Sequence, residues 1–385
     1  MDNTFIYSKY VTGKNFIGRT ADISILSNLL RQNENIVIYE PPMTGMMSLV
    51  QQTFYNMKAG GERFFSASLD LFNIRRTADF ASRLGSAVIR STYSTPEEYA
   101  DVVARLLEGT HFVFDMEQFA LKGNILSLNW DIDDNDVRAV ALLPYRIAEE
   151  KNSRVFVILR EFQNVMLTED GERTCKIMED ALGALSTEDK ARASYIFMGS
   201  RVNAMHEIFG VHKYFFRNVE RVRLSPIDPK DIIEHIVKGF LASGKVIDRD
   251  LLIGVCKLFR NNVWHINHFA AVCDSLTRGY IMEPTLNEAL ATMIATFTPM
   301  YLDTMNGLTG YQVSLLRAII DGNKKLSGAD VVEKYSLNSS ANVRRLKDAL
   351  CKKEIITFDE EDNPIVLDPL FEYWVTHHYF EIKAE

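Results

Sequence analysis

The chain has 385 residues, more than one hydrophobic core usually organises, so we expect two or three domains. Hydrophobic residues make up 47% and charged residues 24%, an ordinary composition with ample material for buried cores. The net charge of −8 argues against a broad nucleic-acid-binding surface.

The first part of the sequence carries no sign of export. Residues 1–16 lack a basic stretch followed by an apolar run, so no secretory signal is expected. No apolar stretch reaches ~18 residues, so we predict no membrane helix. The four cysteines are far apart and form no CxxC pair, which argues against a zinc site and is typical of a reducing compartment. We therefore expect a cytoplasmic protein.

Short β-branched runs alternate with longer helical patterns over residues 1–225. Such runs, separated by helical stretches, predict buried parallel strands joined by right-handed crossovers. A run at 219–224 is weaker than the others. We therefore predict a three-layer α/β domain over residues 1–225. The four clear runs are 36–39, 63–67, 155–159 and 195–198.

From Pro226 onward the pattern changes to successive helices. Asp228 and Pro229 are typical of a helix start, and residues 226–305 predict a helical domain. Residues 306–385 give three helices, a strand, an acidic turn and a second strand, which is the order of a winged helix. Ser339 and Ser340 are N-cap candidates for its third helix.

The segment after the first strand is a degenerate phosphate loop. Against the pattern G-x-x-x-x-G-K-S/T it keeps Gly45, but Glu40 stands at the first glycine. Met46 replaces the lysine and Met47 replaces the serine or threonine. Because the segment follows a buried strand and precedes a helix, its context indicates a phosphate-binding loop.

Several short motifs together resemble the archaeal-type STAND ATPases, AAA-like relatives of the origin-recognition ATPases. Phe-Ile-Gly-Arg at 16–19 is similar to that family's opening motif, and the loop matches it at four positions. The resemblance continues through a strand end, a sensor position, a Phe-Arg pair and the winged helix, and so covers nearly the whole chain. These matches lie at 41, 45, 48 and 49, at 159–164, at 198–200 and at 216–217.

The resemblance implies ATP or ADP bound between the α/β core and a helical lid over residues 226–305. It implies that Glu161 orients the attacking water and that Ser200 is the sensor, with Arg217 or Arg201 assisting. The nucleotide-binding residues that it implies are Gly18, Arg19, Pro41, Pro42, Met43, Thr44, Gly45, Met46, Met47 and Ser48.

Four departures from the family pattern weaken this site. Met46 cannot donate to a phosphate, and the thioether of Met47 is a poor ligand for Mg²⁺. Arg160 replaces the acidic residue that supports Mg²⁺, and the carboxylate of Glu40 repels phosphate. A charge-assisted contact is worth about 1.5–3 kcal/mol, so we predict weak binding of ATP or ADP, little affinity for Mg²⁺ and impaired or absent hydrolysis.

Glu40 and Arg160 both follow strands, so we considered that they pair and close the site. The alternatives are that both point to solvent, or that Arg160 contacts a phosphate in place of the lost lysine.

The winged helix and the histidines have ordinary explanations beside functional ones. Arg344, Arg345 and Lys347 on its third helix suggest DNA, but the acidic tip 359–363 would repel phosphate, so a protein partner or self-association is preferred. His265 and His268 have no further ligands nearby in the sequence. The acidic run 131–136 lacks the glycine and the distal glutamate of a calcium loop, and no metal site is predicted.

Our preferred hypothesis is a nucleotide-responsive regulatory or scaffold protein with impaired hydrolysis. One alternative is a slow ATPase that uses Glu161 and Ser200. The other is a DNA-associated protein in which the winged helix acts and the ATPase core is a relic.

Overall fold

The computed structural model describes residues 5–210 and 212–382. These residues form two units, which we call the α/β unit and the helical unit. The α/β unit consists of Thr20–Glu40 and Leu49–Leu224, and the helical unit of the described residues of Met1–Arg19, Pro41–Ser48 and Ser225–Glu385. The helical unit is therefore assembled from three separate pieces of chain. The predicted division into three domains stays a prediction.

Strands and helices alternate along the α/β unit. Its helices are α1 (Thr20–Arg31), α2 (Met46–Ala59, beginning in the helical unit), α3 (Thr77–Thr92), α4 (Pro96–Leu106), α5 (Met116–Ala120), α6 (Asp134–Glu150), α7 (Gly171–Gly183), α8 (Thr187–Lys190) and α9 (Val202–Phe209). Its strands are β1 (Ile36–Tyr39), β2 (Phe64–Asp70), β3 (Phe112–Phe114), β4 (Leu126–Leu128), β5 (Arg154–Arg160), β6 (Ala193–Gly199) and β7 (Glu220–Arg221).

Five strands form a parallel sheet in the order β2-β5-β6-β1-β7. The register places Asp70 opposite Arg160, and Tyr39 opposite Gly199, so the carboxyl ends of these strands lie along one edge. Every residue of β1 and β6 is buried. Strands buried on both faces need helices on both sides, which gives the predicted three layers. All five predicted strands are present, the fifth shortened to two residues.

The hairpin of β3 and β4 was not predicted. The two strands pair antiparallel, with Phe112 opposite Leu128 and Phe114 opposite Leu126. Each strand has three residues, too few to show a period of two, and the intervening segment contains α5 instead of a tight turn. Local pattern therefore carries no signal for it.

The helical unit continues the numbering from Pro229. Asp228 caps its first helix by accepting a hydrogen bond from the backbone N–H of Lys230 at 2.9 Å, with Pro229 in the first turn, as predicted. The helices are α10 (Pro229–Ala242), α11 (Arg249–Leu258), α12 (Val263–Leu276), α13 (Glu283–Asn306), α14 (Gly310–Ile320), α15 (Ala329–Lys334), α16 (Ser340–Lys352) and α17 (Pro369–Trp374). The strands are β8 (Val246–Ile247), β9 (Tyr280–Ile281), β10 (Ile356–Phe358) and β11 (Pro364–Val366).

Helices α14 to α16 and the antiparallel strands β10 and β11 give the predicted order of a winged helix. Ser339 caps α16, because its side chain accepts a hydrogen bond from the backbone N–H of Asn342 at 3.2 Å. Phe5 and Ile17 are buried in the same core as residues of α10 to α17. The part of the chain before α1 is thus structurally part of the helical unit. In the part of the chain that is described, no helix is long and apolar enough to cross a membrane.

Candidate functional site

The loop between β1 and α2 keeps the backbone shape that a phosphate-binding loop requires. Gly45 has φ +90°, a conformation that favours glycine, and α2 begins at the next residue. Met43 also lies in the left-handed region, with φ +66°, and the hydroxyl of Thr44 donates to the carbonyl oxygen of Pro41 at 2.9 Å. The first amides of α2 have no acceptor within the helix, so they remain suited to an anion.

The side chains of this loop do not replace the missing lysine. Met46 is only 9% exposed, so its thioether is packed into the protein, whereas Met43 is 55% exposed. The hydroxyl of Ser48 accepts a hydrogen bond from the backbone N–H of Val11 at 3.1 Å. Met47 is half-buried. The loop therefore offers a phosphate its backbone amides and no ammonium group.

Arg19 is the cation that the structure brings to this loop. Its guanidinium donates to the carbonyl oxygen of Thr44 at 3.2 Å and to that of Ser225 at 2.7 Å. Gly18 has φ +61°, and a Cβ there would lie 3.0 Å from Ile227 Cγ2. The Gly-Arg pair thus fixes the chain against both the loop and the start of the C-terminal helices. The contacts to Val11 and Ser225 had no signal in the sequence.

In the α/β unit, Glu161 and Ser200 are brought together as neighbours at the ends of β5 and β6. Glu161 has φ +55°, and its Oε2 accepts hydrogen bonds from Ser200 Oγ and from Gln163 Nε2, both at 2.7 Å. The backbone N–H of Ser200 approaches the same oxygen at 3.4 Å. Three donors therefore hold one carboxylate oxygen of the residue expected to orient water.

Gln163 is a site residue to which the sequence analysis gave no role. Its side chain is 3% exposed, and no described residue donates to its Oε1. Gly199 makes room for it, because a Cβ at Gly199 would lie 2.4 Å from Gln163 Oε1 and from Met205 Cγ. The motif at 159–164 contained this glutamine, but only the fold shows that it holds Glu161.

Glu40 and Arg160 do not form the pair that was considered among the alternatives. Arg160 forms its ion pair with Asp70 at 3.2 Å, and Glu40 Oε1 accepts a hydrogen bond from the backbone N–H of Leu224 at 3.2 Å. The cause is strand order: β6 lies between β1 and β5, whereas Asp70 is the register partner of Arg160 on β2. Adjacent strands bring opposite charges together at the sheet edge, and strands two apart do not.

Arg217 lies at a separate place in the α/β unit. It lines a cavity of about 500 Å³ with residues of α7 and of the segment after α9. Phe215 donates its backbone N–H to Glu179 Oε1 at 2.9 Å, and Lys176 pairs with the same carboxylate. Arg217 is exposed and pairs with no described residue. Its assisting role stays a prediction.

The basic residues of α16 differ in their surroundings. Arg344 and Arg345 are exposed. Lys347 instead contacts the hairpin of β10 and β11, which is the wing, with its Nζ 3.1 Å from Asp362 Oδ2 and 4.0 Å from the centre of the Phe358 ring. The wing therefore neutralises one of the three cations that suggested DNA.

The acidic run at 131–136 forms a helix cap together with a histidine. Asp133 and Asp136 form a capping box at the start of α6, and the buried Asp136 accepts from the backbone N–H and from Nδ1 of His111 at 2.8 and 2.9 Å. This hydrogen bond to Asp136 is the main cause that raises the pKa of His111. In the described part of the chain, His111, Asp133 and Asp136 are the one group whose side-chain atoms lie close enough together to hold a metal ion. The hydrogen bonds given above explain why these side chains are close.

Comparison with known proteins finds likenesses of fold. A family model described as "Probable winged helix domain" matches residues 299–377, and no curated protein matches the chain. A Walker-type ATPase of Pyrococcus abyssi is similar with a TM-score of 0.65 and 14% identity, over 96% of this chain and 99% of that one. The ORC2 protein of Aeropyrum pernix in its ADP form is similar with a TM-score of 0.53 and 12% identity, over 95% and 93%.

At these identities the likeness is one of fold. The chain has a P-loop NTPase fold with a parallel central sheet, followed by helices and a C-terminal winged-helix domain, as predicted. The narrower resemblance to STAND ATPases stays a prediction. The site residues Gly18, Arg19 and 41–48 belong to the helical unit, and Glu161, Ser200 and Arg217 to the α/β unit.

Proposed function

We propose that the protein is a nucleotide-responsive regulatory or scaffold protein that binds ATP or ADP weakly and hydrolyses ATP poorly or not at all. The observation that carries this proposal is the phosphate loop. Its backbone shape is kept, with Gly45 at φ +90° and α2 beginning directly after it, while the packed thioether of Met46 occupies the lysine position.

The remaining affinity comes from backbone groups. Amides at a helix start attract a phosphate because their partial positive charge is unsatisfied. Losing the lysine contact weakens nucleotide binding about ten- to hundred-fold, since a charge-assisted hydrogen bond contributes about 1.5–3 kcal/mol. Binding with a Kd in the high micromolar to millimolar range is the expectation.

Hydrolysis is disfavoured at two further points. Met47 supplies no hydroxyl for Mg²⁺, and the neighbour of Glu161 in sequence is Arg160, a cation whose charge is balanced by Asp70. Glu161 itself has one oxygen held by Ser200 and Gln163. The other carboxylate oxygen is held by no described residue and can still accept a hydrogen bond from water, so the loss of hydrolysis follows from the metal and phosphate contacts and not from Glu161.

Calorimetric titration with ATP and ADP, with and without Mg²⁺, tests the proposal alongside an assay of phosphate release. We expect weak binding that Mg²⁺ changes little, and no release above the background of a Glu161→Gln variant. Release that depends on Mg²⁺ and on Glu161 would favour the slow ATPase. Absence of binding at millimolar nucleotide would refute the proposal.

A DNA-associated role is supported by the exposure of Arg344 and Arg345 on α16. Its test is retention on duplex DNA at increasing salt, with Lys347→Ala as the matched control, because Lys347 is already engaged by Asp362. The measured quantity is the slope of the logarithm of the binding constant against the logarithm of the salt concentration. If the winged helix binds DNA, Arg344→Ala and Arg345→Ala each reduce the magnitude of this slope by about 1, and Lys347→Ala reduces it less. An unchanged salt dependence in Arg344→Ala and Arg345→Ala, or no retention in 50 mM salt, would exclude this role for α16.

A further inference from the structure

Residues 5–19, which we call the strap, connect the phosphate loop to the C-terminal helices within the helical unit. The strap touches the loop at two points, one in its middle and one at its C-terminal end. Val11 donates its backbone N–H to Ser48 Oγ at 3.1 Å, and Arg19 donates to the carbonyl oxygen of Thr44 at 3.2 Å. Ser48 lies in the first turn of α2, directly where a phosphate would accept amide hydrogen bonds.

The other end of the strap is fixed to the first two turns of α12. Trp264 donates its indole N–H to the carbonyl oxygen of Tyr7 at 2.7 Å, and Asn267 donates to that of Ile6 at 3.2 Å. The Tyr7 ring stacks on His268 with ring centres 4.3 Å apart. Both ends of the strap thus rest on named hydrogen bonds and not on apolar packing alone.

The first turn of α12 contacts the winged helix through Asp368. The carboxylate of Asp368 lies 3.4 Å from His265 Nε2 and accepts a hydrogen bond from Tyr301 of α13 at 3.1 Å. It also caps α17 by accepting from the backbone N–H of Leu370 at 2.9 Å. A single carboxylate therefore joins α12, α13 and the last helix of the winged domain.

A second contact runs beside the first. Arg260, in the turn between α11 and α12, donates to the carbonyl oxygen of Val366 at 2.8 Å and forms an ion pair with Glu372 of α17. A shift of the first turn of α12 therefore changes contacts with both β11 and α17.

Three buried polar atoms at the start of α12, where the strap and Asp368 make their contacts, have no hydrogen-bond partner among the described residues. His265 Nδ1, Asn267 Oδ1 and His268 Nδ1 are buried, and no described residue gives any of them a hydrogen bond. Buried polar atoms are normally paired, and leaving one unpaired costs free energy. Coupling between distant sites requires an element that can take two arrangements. The start of α12, which holds these three unpaired atoms, is where we place that element.

We propose that the strap transmits the state of the phosphate loop to the winged helix through the first turn of α12 and Asp368. The proposal rests on the proposed function only for the nature of the signal, a nucleotide phosphate at the loop amides. An anion that draws the first turn of α2 toward itself alters the acceptor position of Ser48, and Val11 carries the change into the strap.

The first test needs no nucleotide. Ser48→Ala removes the acceptor for the Val11 amide, and hydrogen exchange is then followed in the strap, in the first turn of α12 and in α17. We expect exchange to become about 3- to 10-fold faster in all three, the range that the loss of one hydrogen bond produces. Ser86→Ala is the matched control, because Ser86 Oγ accepts from the backbone N–H groups of Ile125 and Leu126 within the α/β unit. Ser86→Ala should leave the hydrogen-exchange rate of α17 unchanged.

A double-mutant cycle tests the route. Trp264→Phe keeps an aromatic ring but removes the N–H group that donates to the carbonyl oxygen of Tyr7. In that background, Ser48→Ala should cause no further increase in the hydrogen-exchange rate of α17. Trp130→Phe, at a side chain 73% exposed in the α/β unit, is the control and should leave the effect of Ser48→Ala intact. An effect on α17 that persists undiminished in Trp264→Phe, or no effect of Ser48→Ala beyond the loop, overturns the proposal.

Adding saturating ATP or ADP separates this proposal from the proposed function. If calorimetry shows no binding while the cycle shows coupling, the proposed function fails and the strap keeps its role. If nucleotide binds and slows exchange in the loop, but exchange in α17 stays the same in the unmodified protein, the strap proposal fails. Nucleotide-dependent protection of α17 that is lost in Trp264→Phe supports both.

Discussion

Restoring the lysine of the phosphate loop is the sharpest perturbation that the structure offers. In Met46→Lys an ammonium group stands at the position that contacts the β- and γ-phosphates in P-loop proteins. Because a charge-assisted contact contributes about 1.5–3 kcal/mol, we expect ATP to bind about ten- to hundred-fold more tightly.

The same substitution has a cost that the structure also specifies. Met46 is 9% exposed, and burying a methionine side chain contributes about 1.5–3 kcal/mol. Met46→Lys without nucleotide should therefore unfold at a lower temperature than the unmodified protein. Adding ATP should raise its Tm by more than it raises that of the unmodified protein, since the stabilisation grows with the ratio of free ligand to Kd.

Met43→Lys is the matched control, with the same change of charge in the same loop. Met43 is 55% exposed, so its replacement should change the free energy of unfolding by no more than about 0.5 kcal/mol and should tighten ATP binding only slightly. Titration calorimetry and thermal unfolding measure both quantities for the two variants. The loop does not bind a phosphate in the way we infer if Met43→Lys increases the affinity for ATP as much as Met46→Lys does. The same conclusion follows if Met46→Lys leaves the affinity for ATP unchanged.

Three further predictions concern packing and pH. Gly199→Ala should lower the free energy of unfolding by about 1–3 kcal/mol in denaturant titrations, because the added methyl overlaps Gln163 and Met205, and unchanged stability would contradict the packing described. Phe5→Ala should cost about 3–5 kcal/mol, because the Phe5 ring is 1% exposed and packs 4.7 Å from that of Phe240, and the exposed Phe72 is the control position. Burial, and then the neighbouring His265, lowers the pKa of His268, so its stabilising effect is present above about pH 6.5 and lost as pH falls below it. The drop in Tm between pH 7.5 and 5.5 should be smaller in His268→Phe, and an equal drop would refute this assignment.

The parts of the fold that the sequence predicted are those set by local chemistry. Strands β1, β5 and β6 are continuous apolar runs because both of their faces are buried, and the helix starts at Asp228 and Ser339 carry side chains that accept a backbone hydrogen bond. Hydrophobic pattern and capping chemistry operate over a few residues. They can therefore be recognised without knowing the rest of the structure.

The arrangement of the site depended on register and on distant contacts. Arg160 pairs with Asp70 and not with Glu40 because strand order decides which strand ends are neighbours. Gln163 holds Glu161 only because the chain turns at a residue with φ +55°. Neither feature leaves a trace in composition or periodicity, so the sequence predicted the participants and not their partners.

The helical unit is built from pieces of chain that lie far apart in the sequence, and this affects the order in which the protein folds during synthesis. Tyr7 and Trp264 are 257 residues apart, so at about 5–20 residues per second the strap waits roughly 10–50 s for its partner to be made. Through that interval the apolar side chain of Phe5 has no core to enter. The α/β unit, whose second piece ends at Leu224, is complete before any of the C-terminal piece of the helical unit is made. The strap and the loop beside it are therefore the last parts near the start of the chain to become ordered, and a ribosome-bound chain that ends before α12 lacks the strap's anchor.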